Sequence, residues 1–418
     1  MVMENCEDTQ ILRNIFLKSL ELADPVKSLE RMKFEPPSGT LVFIAVGKGA
    51  GRLAKAFKIN YSGQADGIVV IPENESCEEI GFEVIKATHP IPSQAGFEAS
   101  NKLLKKVSKL GKNDLLIFCI SGGASALLPS PPKGFSIEDE IELNRVLLGS
   151  GLSIKEINLY RGIFSQIKGG KLAIAAYPCP LINLVVSDIP GGDLSLVGSG
   201  PTFVPGGEKI IASNIEFSSD INKFFQKNRK SLGLVSEQKA TVLKSVCLGS
   251  SALLLDCVQD YIEKKYKLNP LILSSDFEGD ASSLAKFHAS IFKEIKQYGR
   301  PIKKPAIVIS GGETHVKLPK THGKGGRNSH FALALAKEIA GITGITVLAA
   351  DTDGVDGFES NAGAIVTAET FQTLSEKAPK KDFLRDFDSF SAHKIANTLF
   401  YTGPTGINLN DLRMAIIR

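Results

Sequence analysis

Disulfide spacing is missing from this 418-residue chain. Its six cysteines (Cys6, Cys77, Cys119, Cys179, Cys247 and Cys257) are scattered, with no C-x-x-C pair and no metal-ligand pattern. That argues against a stapled secreted scaffold and fits a reducing compartment. Cys119 sits inside the apolar run L115-L-I-F-C-I120, where a thiol behaves as a small hydrophobe. The first residues, M1-V-M-E-N-C-E-D8, are acidic and hold no apolar core, so no secretory leader is visible. Apolar stretches are broken by Pro178, Pro180 or charges well short of a membrane span. A cytoplasmic location without membrane contact is expected. Charge of one sign is also scarce: the net value is +4, and pairs such as Lys303-Lys304 and Lys380-Lys381 lie beside prolines. Without a basic stripe interleaved with aromatics, no nucleic-acid partner is expected.

Several catalytic signatures are absent too. A serine-hydrolase elbow requires G-x-S-x-G, but Leu127 stands two residues after Ser125. The turn V46-G-K-G-A-G-R52 fails as a dinucleotide fingerprint because Arg52 replaces its third glycine, and it lacks the Walker arrangement. An EF-hand loop is excluded, since its later ligand positions are unfilled.

What remains is an α/β pattern. The length suggests two domains, and 43% apolar with 22% charged residues is the composition of a globular protein. Short branched runs at 41–46, 67–71, 115–120 and 181–187 read as strands, as do 271–275, 306–310 and 345–350. Helical spacing falls between them, at 96–109, 152–167, 251–265, 281–297 and 329–339. Alternation of this kind is that of a parallel sheet covered by helices. The charged stretch 217–239 carries no strand-like run, which places a boundary between domains at 1–235 and 236–418.

Glycine-rich turns follow several strands, where open α/β sheets gather ligands. Lys48, between Gly47 and Gly49, can offer a point charge to an anion. In I120-S-G-G-A-S-A126, the small residues Ser121, Gly122, Gly123 and Ser125 let backbone N–H groups approach an anion. In S187-D-I-P-G-G-D193, Asp188 and Asp193 can hold a cation, accept a hydroxyl proton or cap a turn. Glu313 reads as a carboxylate on a turn after a strand, I309-S-G-G-E-T314. Arg327 opens a helix within G323-K-G-G-R-N328, alongside Gly325, Gly326 and Asn328; a cation there opposes the helix dipole and suggests an anionic ligand. Asp351, Asp353 and Asp356 crowd the next loop, where their repulsion calls for a cation, a basic partner or solvent. His89, in T88-H-P-I-P92, is a candidate for the rim of a site.

The joint order of V46-G-K-G-A50, T88-H-P-I-P-S93, S121-G-G-A-S-A-L-L128, S187-D-I-P-G-G-D193, G198-S-G-P-T202, S310-G-G-E313, G325-G-R-N328, D351-T-D-G-V-D-G357 and G403-P-T-G406 resembles the glycerate 2-kinases with a C-terminal MOFRL domain. The resemblance implies a Rossmann-like parallel-sheet N-terminal domain and a smaller α/β C-terminal domain, with the site in the cleft between them. It also implies ATP-dependent, Mg²⁺-assisted phosphorylation of D-glycerate at the 2-hydroxyl. Carried over residue by residue, Lys48, Asp188 and Arg327 become catalytic. Ser121, Gly122, Gly123, Ser125, Glu313, Gly325, Gly326 and Asn328 become nucleotide-binding, and Asp193, Asp351 and Asp353 metal-binding. Departures from the family pattern fall at Gly162, Ile163, Ser329, His330 and Ile407. Two rival functions stand beside this one: NAD(P)H-dependent hydroxypyruvate reduction, and a non-catalytic nucleotide or sugar-acid sensor. The sequence leaves oligomeric state open, whether monomer or homodimer.

Overall fold

Branched residues unbroken by charge form strands buried on both faces, and the computed structural model places such strands at the centre of a parallel sheet. It describes residues 2–77, 80–189, 191–204, 215–228 and 239–418. Two compact units result. One comprises Pro25–Ile189 and Asp193–Leu248; the other comprises Met1–Asp24, Pro190–Gly192 and Gly249–Arg418. The boundary expected between residues 235 and 236 lies outside the described residues.

The parallel-sheet unit holds β1 (Leu41–Val46), β2 (Ala65–Pro72), β3 (Glu83–Ala87), β4 (Leu115–Ile120), β5 (Pro180–Val186) and β6 (Thr241–Gly249), ordered β3-β2-β1-β4-β5-β6. Strands β3, β2, β1, β4 and β5 run parallel to one another. All six residues of β1 and of β4 are buried. Phe118, Ile120, Leu103 and Leu172 meet in the core on one sheet face. Because the order of strands along the sheet reverses at the β1–β4 pair, their carboxyl ends form the switch point where such sheets bind ligands. Val46 pairs with Ile120, and Ile120 with Val185, so the turns after β1, β4 and β5 emerge side by side.

The second unit holds β7 (Asn269–Asp280), β8 (Ala306–His315), β9 (Ile345–Asp351), β10 (Gly363–Thr367), β11 (Leu399–Phe400) and β12 (Asp411–Ile417), ordered β11-β10-β9-β12-β8-β7. This sheet is mixed. β12 runs antiparallel to both β8 and β9, β10 antiparallel to β9 and β11, and only β7 and β8 are parallel. The fully parallel arrangement expected from alternation is corrected for this half: β12, from the end of the chain, inserts between β8 and β9. Helix Arg327–Glu338 is buried along almost its whole length against this sheet. The helix Val2–Leu22 also belongs to this unit. Its Phe16 ring meets Phe400 edge-on at 5.1 Å, and Asp8 accepts from Arg418 Nε at 3.0 Å.

Cys77, Cys119, Cys179, Cys247 and Cys257 are thiols rather than disulfides, and burial pushes Cys119 up to about 12. No helix among the described residues is long and apolar enough to cross a membrane.

Candidate active site

In the parallel-sheet unit, the turns after β1, β4 and β5 bring together residues some seventy to a hundred and forty positions apart. Lys48 N–H donates to the Gly122 carbonyl at 2.9 Å, and Ser121 Oγ donates to the Lys48 carbonyl at 2.8 Å. Ser121 is thus a buried clasp between two turns. Gly122 is glycine because the Asp188 carboxylate lies where its Cβ would be. A Cβ at Gly123 would meet His89 Cδ2 at 3.1 Å and Lys48 Cγ at 3.6 Å, and Gly123 adopts φ 84°. Lys48, His89 and Asp188 therefore surround the S121-G-G123 turn. Burial raises Asp188 above the usual carboxylate range, opposed by its own backbone N–H and by the Lys48 charge. The His89 imidazole is lowered by burial and then by Lys48.

The neighbouring groups have partners of their own. Ser125 Oγ lies 3.0 Å from Ser199 Oγ, which donates to Asn158 at 2.9 Å. Asp193 caps a short 3-10 turn by accepting from Ser195 N–H at 3.0 Å, and Lys155 lies 3.7 Å from its other oxygen. The Ser195 hydroxyl and these contacts hold Asp193 below the usual carboxylate range.

A second cluster forms within the mixed-sheet unit around Arg327. Its Nε donates to Asp411 Oδ1 at 2.9 Å, Nη2 to Asp351 Oδ2 at 2.6 Å, and Nη1 stands 3.5 Å from Glu313. Asp411 is fully buried and also accepts from Asn328 Nδ2 at 2.6 Å and from Arg413. Arg413, itself buried, donates to the Gly311 carbonyl at 3.1 Å and stacks over the Phe331 ring. Burial and the Asp411 charge raise Asp351 well above the ordinary range, with Arg327 pulling the other way.

Several expectations for this unit change. The S310-G-G-E313 segment is not a turn: β8 continues through it to His315. Gly312 is glycine because β7 crosses at Phe277, whose backbone N and O occupy its Cβ position. The start of helix Arg327–Glu338 is capped by the chain itself, since Asp356 accepts from Asn328 N–H at 2.9 Å and Ser329 N–H at 2.7 Å. Asp356 fills the Cβ space of Gly326, and Ser389 that of Gly325. The crowded carboxylates have separate partners: Asp351 has Arg327, Asp356 the helix end, and Asp353 the Val355 N–H at 2.8 Å. Among the described residues no three His, Cys, Asp or Glu side chains converge as a metal site.

Residues 11–227 match a family model described as a domain of unknown function (DUF4147), and residues 306–411 match the MOFRL family. A D-glycerate 2-kinase of Thermotoga maritima is 35% identical, over 96% of this chain and 97% of its own length. A crystal structure of glycerate kinase from Thermotoga maritima superposes with a TM-score of 0.84 at 34% identity, covering 98% of this chain and 99% of that one. The chain belongs to the MOFRL-domain glycerate 2-kinase family. A relative from Agrobacterium vitis, 34% identical over 100% of this chain and 96% of its own length, carries a provisional hydroxypyruvate reductase name.

Within this glycerate 2-kinase family member, two departures from the family pattern lie in buried packing. Ser329 Oγ accepts from Asn361, while His330 stacks on Phe387 and meets Ser282 Oγ at 2.9 Å. Asp411 and Arg413 escaped the sequence reading. Their signal is present in D411-L-R-M-A-I-I417, where two charges open an otherwise apolar run.

Proposed function

We propose that this chain transfers the γ-phosphoryl group of ATP to the 2-hydroxyl of D-glycerate, giving 2-phosphoglycerate and ADP with the assistance of Mg²⁺. The observation that carries the reading is the Asp188 carboxylate, seated against Gly122 and raised by burial within the field of Lys48. A base poised above the ordinary carboxylate range suits removal of a hydroxyl proton at neutral pH. The kinase relatives support the donor and acceptor classes.

In this mechanism the hydroxyl O–H bond breaks as its proton passes to Asp188. The freed oxygen bonds the γ-phosphorus, and the bridging P–O bond to the β-phosphate breaks to release ADP. Positioning and charge neutralisation supply most of the catalysis in such transfers. Lys48 stabilises ionised Asp188 and meets the phosphoryl charge. Arg327 offers Nη1, its most loosely paired nitrogen, to an anionic oxygen. Ser121 holds the Lys48 turn, Gly122 makes room for the Asp188 carboxylate and Gly123 for His89 and Lys48, and Asn328 fixes the Asp411 carboxylate that steadies Arg327.

Mg²⁺ binds through one or two carboxylates together with substrate phosphates. Asp193, partly buried and held ionised, fits that role, whereas Asp351 fits less well because it is pushed toward its neutral form. When bound, the ion would neutralise phosphate charge.

The reductase reading meets an obstacle in the V46-G-K-G-A-G-R52 turn. Gly47, Lys48 and Gly49 N–H groups donate to Val70, Gly122 and Glu75, and Glu75 is a carboxylate, which repels a pyrophosphate. Incubation with D-glycerate, ATP and Mg²⁺, followed by phosphorus NMR, tests the proposal. Formation of 2-phosphoglycerate is expected. Absence of product, together with nicotinamide oxidation by hydroxypyruvate, would overturn it.

A further inference from the structure

On the core face of β5, Leu181 and Val185 pack among Leu116, Phe118 and Ile120, yet the residue between them on that face is Asn183. Asn183 is fully buried. Its Nδ2 donates to Ser245 Oγ at 3.1 Å, but among the described residues its Oδ1 accepts from no group. Thr202 is 1% exposed, and its Oγ1 likewise has no partner among the described residues. An amide oxygen or hydroxyl left in this state costs about 1–3 kcal/mol each, so native structures rarely tolerate it.

Both residues line the same cavity, about 460 Å³ in volume, within the parallel-sheet unit. That volume lies in the range of small-molecule sites. Leu159, Leu196 and Phe203 give it apolar walls, and Gly169 and Gly200 leave part of the wall free of side chains. With three apolar side chains beside the amide and hydroxyl of two buried residues, such a cavity suits a heterocycle that carries an N–H donor on its edge. Ser199 lines it as well, and Ser199 Oγ is hydrogen-bonded to Ser125. Ser125 lies on the same turn as Gly122, whose Cβ position is taken by Asp188, so a hydrogen bond links the cavity lining to that turn. Lys155 and Asp193 also belong to its lining.

We infer that this cavity receives the amine-bearing base of the donor nucleotide, adenine, with Asn183 Oδ1 accepting from the exocyclic amine and Thr202 completing the edge. The kinase reading supplies the identity of the donor; the cavity and its orphaned oxygens are independent of that reading.

The test is equilibrium titration of the full chain with ATP and with ITP, which carries a carbonyl in place of the amine, without glycerate. ATP should bind about tenfold or more tightly than ITP. Asn183→Leu should weaken ATP by about tenfold while leaving ITP nearly unchanged, so that the preference collapses. Thr202→Val, nearly isosteric, should weaken ATP several-fold. A general packing defect would weaken both nucleotides alike. If Asn183→Leu does not fold, Ala240→Trp fills the cavity from its half-buried wall, and should weaken both nucleotides with unchanged circular dichroism. Equal affinity for ATP and ITP in the unmodified chain would overturn the inference, as would an unchanged ATP affinity in folded Ala240→Trp. The two readings fail separately. Product formation with an ATP preference indifferent to Asn183 sinks the cavity assignment alone, whereas an Asn183-dependent preference without product sinks the kinase reading alone.

Discussion

The Asp188 carboxylate occupies the volume that a side chain at Gly122 would fill. Gly122 does not have a positive φ, so alanine is allowed by the backbone there. The obstacle to Gly122→Ala is one flexible carboxylate, which can swing aside. We expect the variant to fold with stability within about 1 kcal/mol of the parent. Its kcat/KM for phosphoryl transfer should nevertheless fall on the order of a hundredfold, because the carboxylate leaves its place. Thermal unfolding and initial rates measured together check this. Parallel loss of both would show that Gly122 is only a packing residue.

Asp411 and Asp351 both hold Arg327, yet their substitutions should differ. Asp411 is the carboxylate that meets buried Arg413 as well as Arg327. Asp411→Asn leaves that arginine uncompensated and should destabilise by about 3–5 kcal/mol. Asp351 is already driven toward its neutral form by burial and by Asp411. Asp351→Asn should therefore cost about 1 kcal/mol or less. Denaturant midpoints of the two variants rank them, and equal losses would contradict the charge assignment.

Activity should fall in acid at a higher pH than an ordinary carboxylate would dictate. Burial raises Asp188, and a base must be ionised to work, so the acid limb of kcat/KM follows that raised value. The Lys48 charge lowers it. Lys48→Ala should then move the limb to still higher pH, and Lys48→Arg should restore its position. A pH–rate profile of the three proteins decides the matter, and a limb that ignores residue 48 would refute the coupling.

His288 and His393 link stability to pH in the mixed-sheet unit. Burial lowers each to about 4, from an unfolded value near 6.5. A depressed histidine binds fewer protons folded than unfolded. Its stabilising contribution is present above the unfolded value and is lost as pH falls from about 6.5 towards 4. Between pH 7 and 5 the expected loss is about 2 kcal/mol for each histidine. Midpoints across that range should decline, and His288→Asn should reduce the slope.

Strands β1 and β4 were legible because no charge interrupts them, and both faces of each are buried. β12 was missed because Asp411 and Arg413 break its apolar pattern, although both are buried. The charges satisfy each other and Arg327, a compensation invisible without the fold. Glycines misled in the other direction. The S310-G-G-E313 segment has turn composition, but its glycines serve close contacts with Ser251 and Phe277. Lys48 and Asp188 were each recognisable as chemical groups, and their neighbourhood follows from the order β1-β4-β5 rather than from spacing. Asp356 illustrates the remaining limit. An aspartate in a crowd of aspartates reads as a metal ligand until a helix end is found beneath it.

The pairing of Asp8 with Arg418 and of Phe16 with Phe400 has a consequence for assembly on the ribosome. A helix at residues 2–22 thus has partners some four hundred positions further along the chain. It must wait, unaccompanied, while the residues between them emerge and Pro25–Ile189 build a sheet of their own. Early release of the chain would strand that helix with its apolar stripe bare.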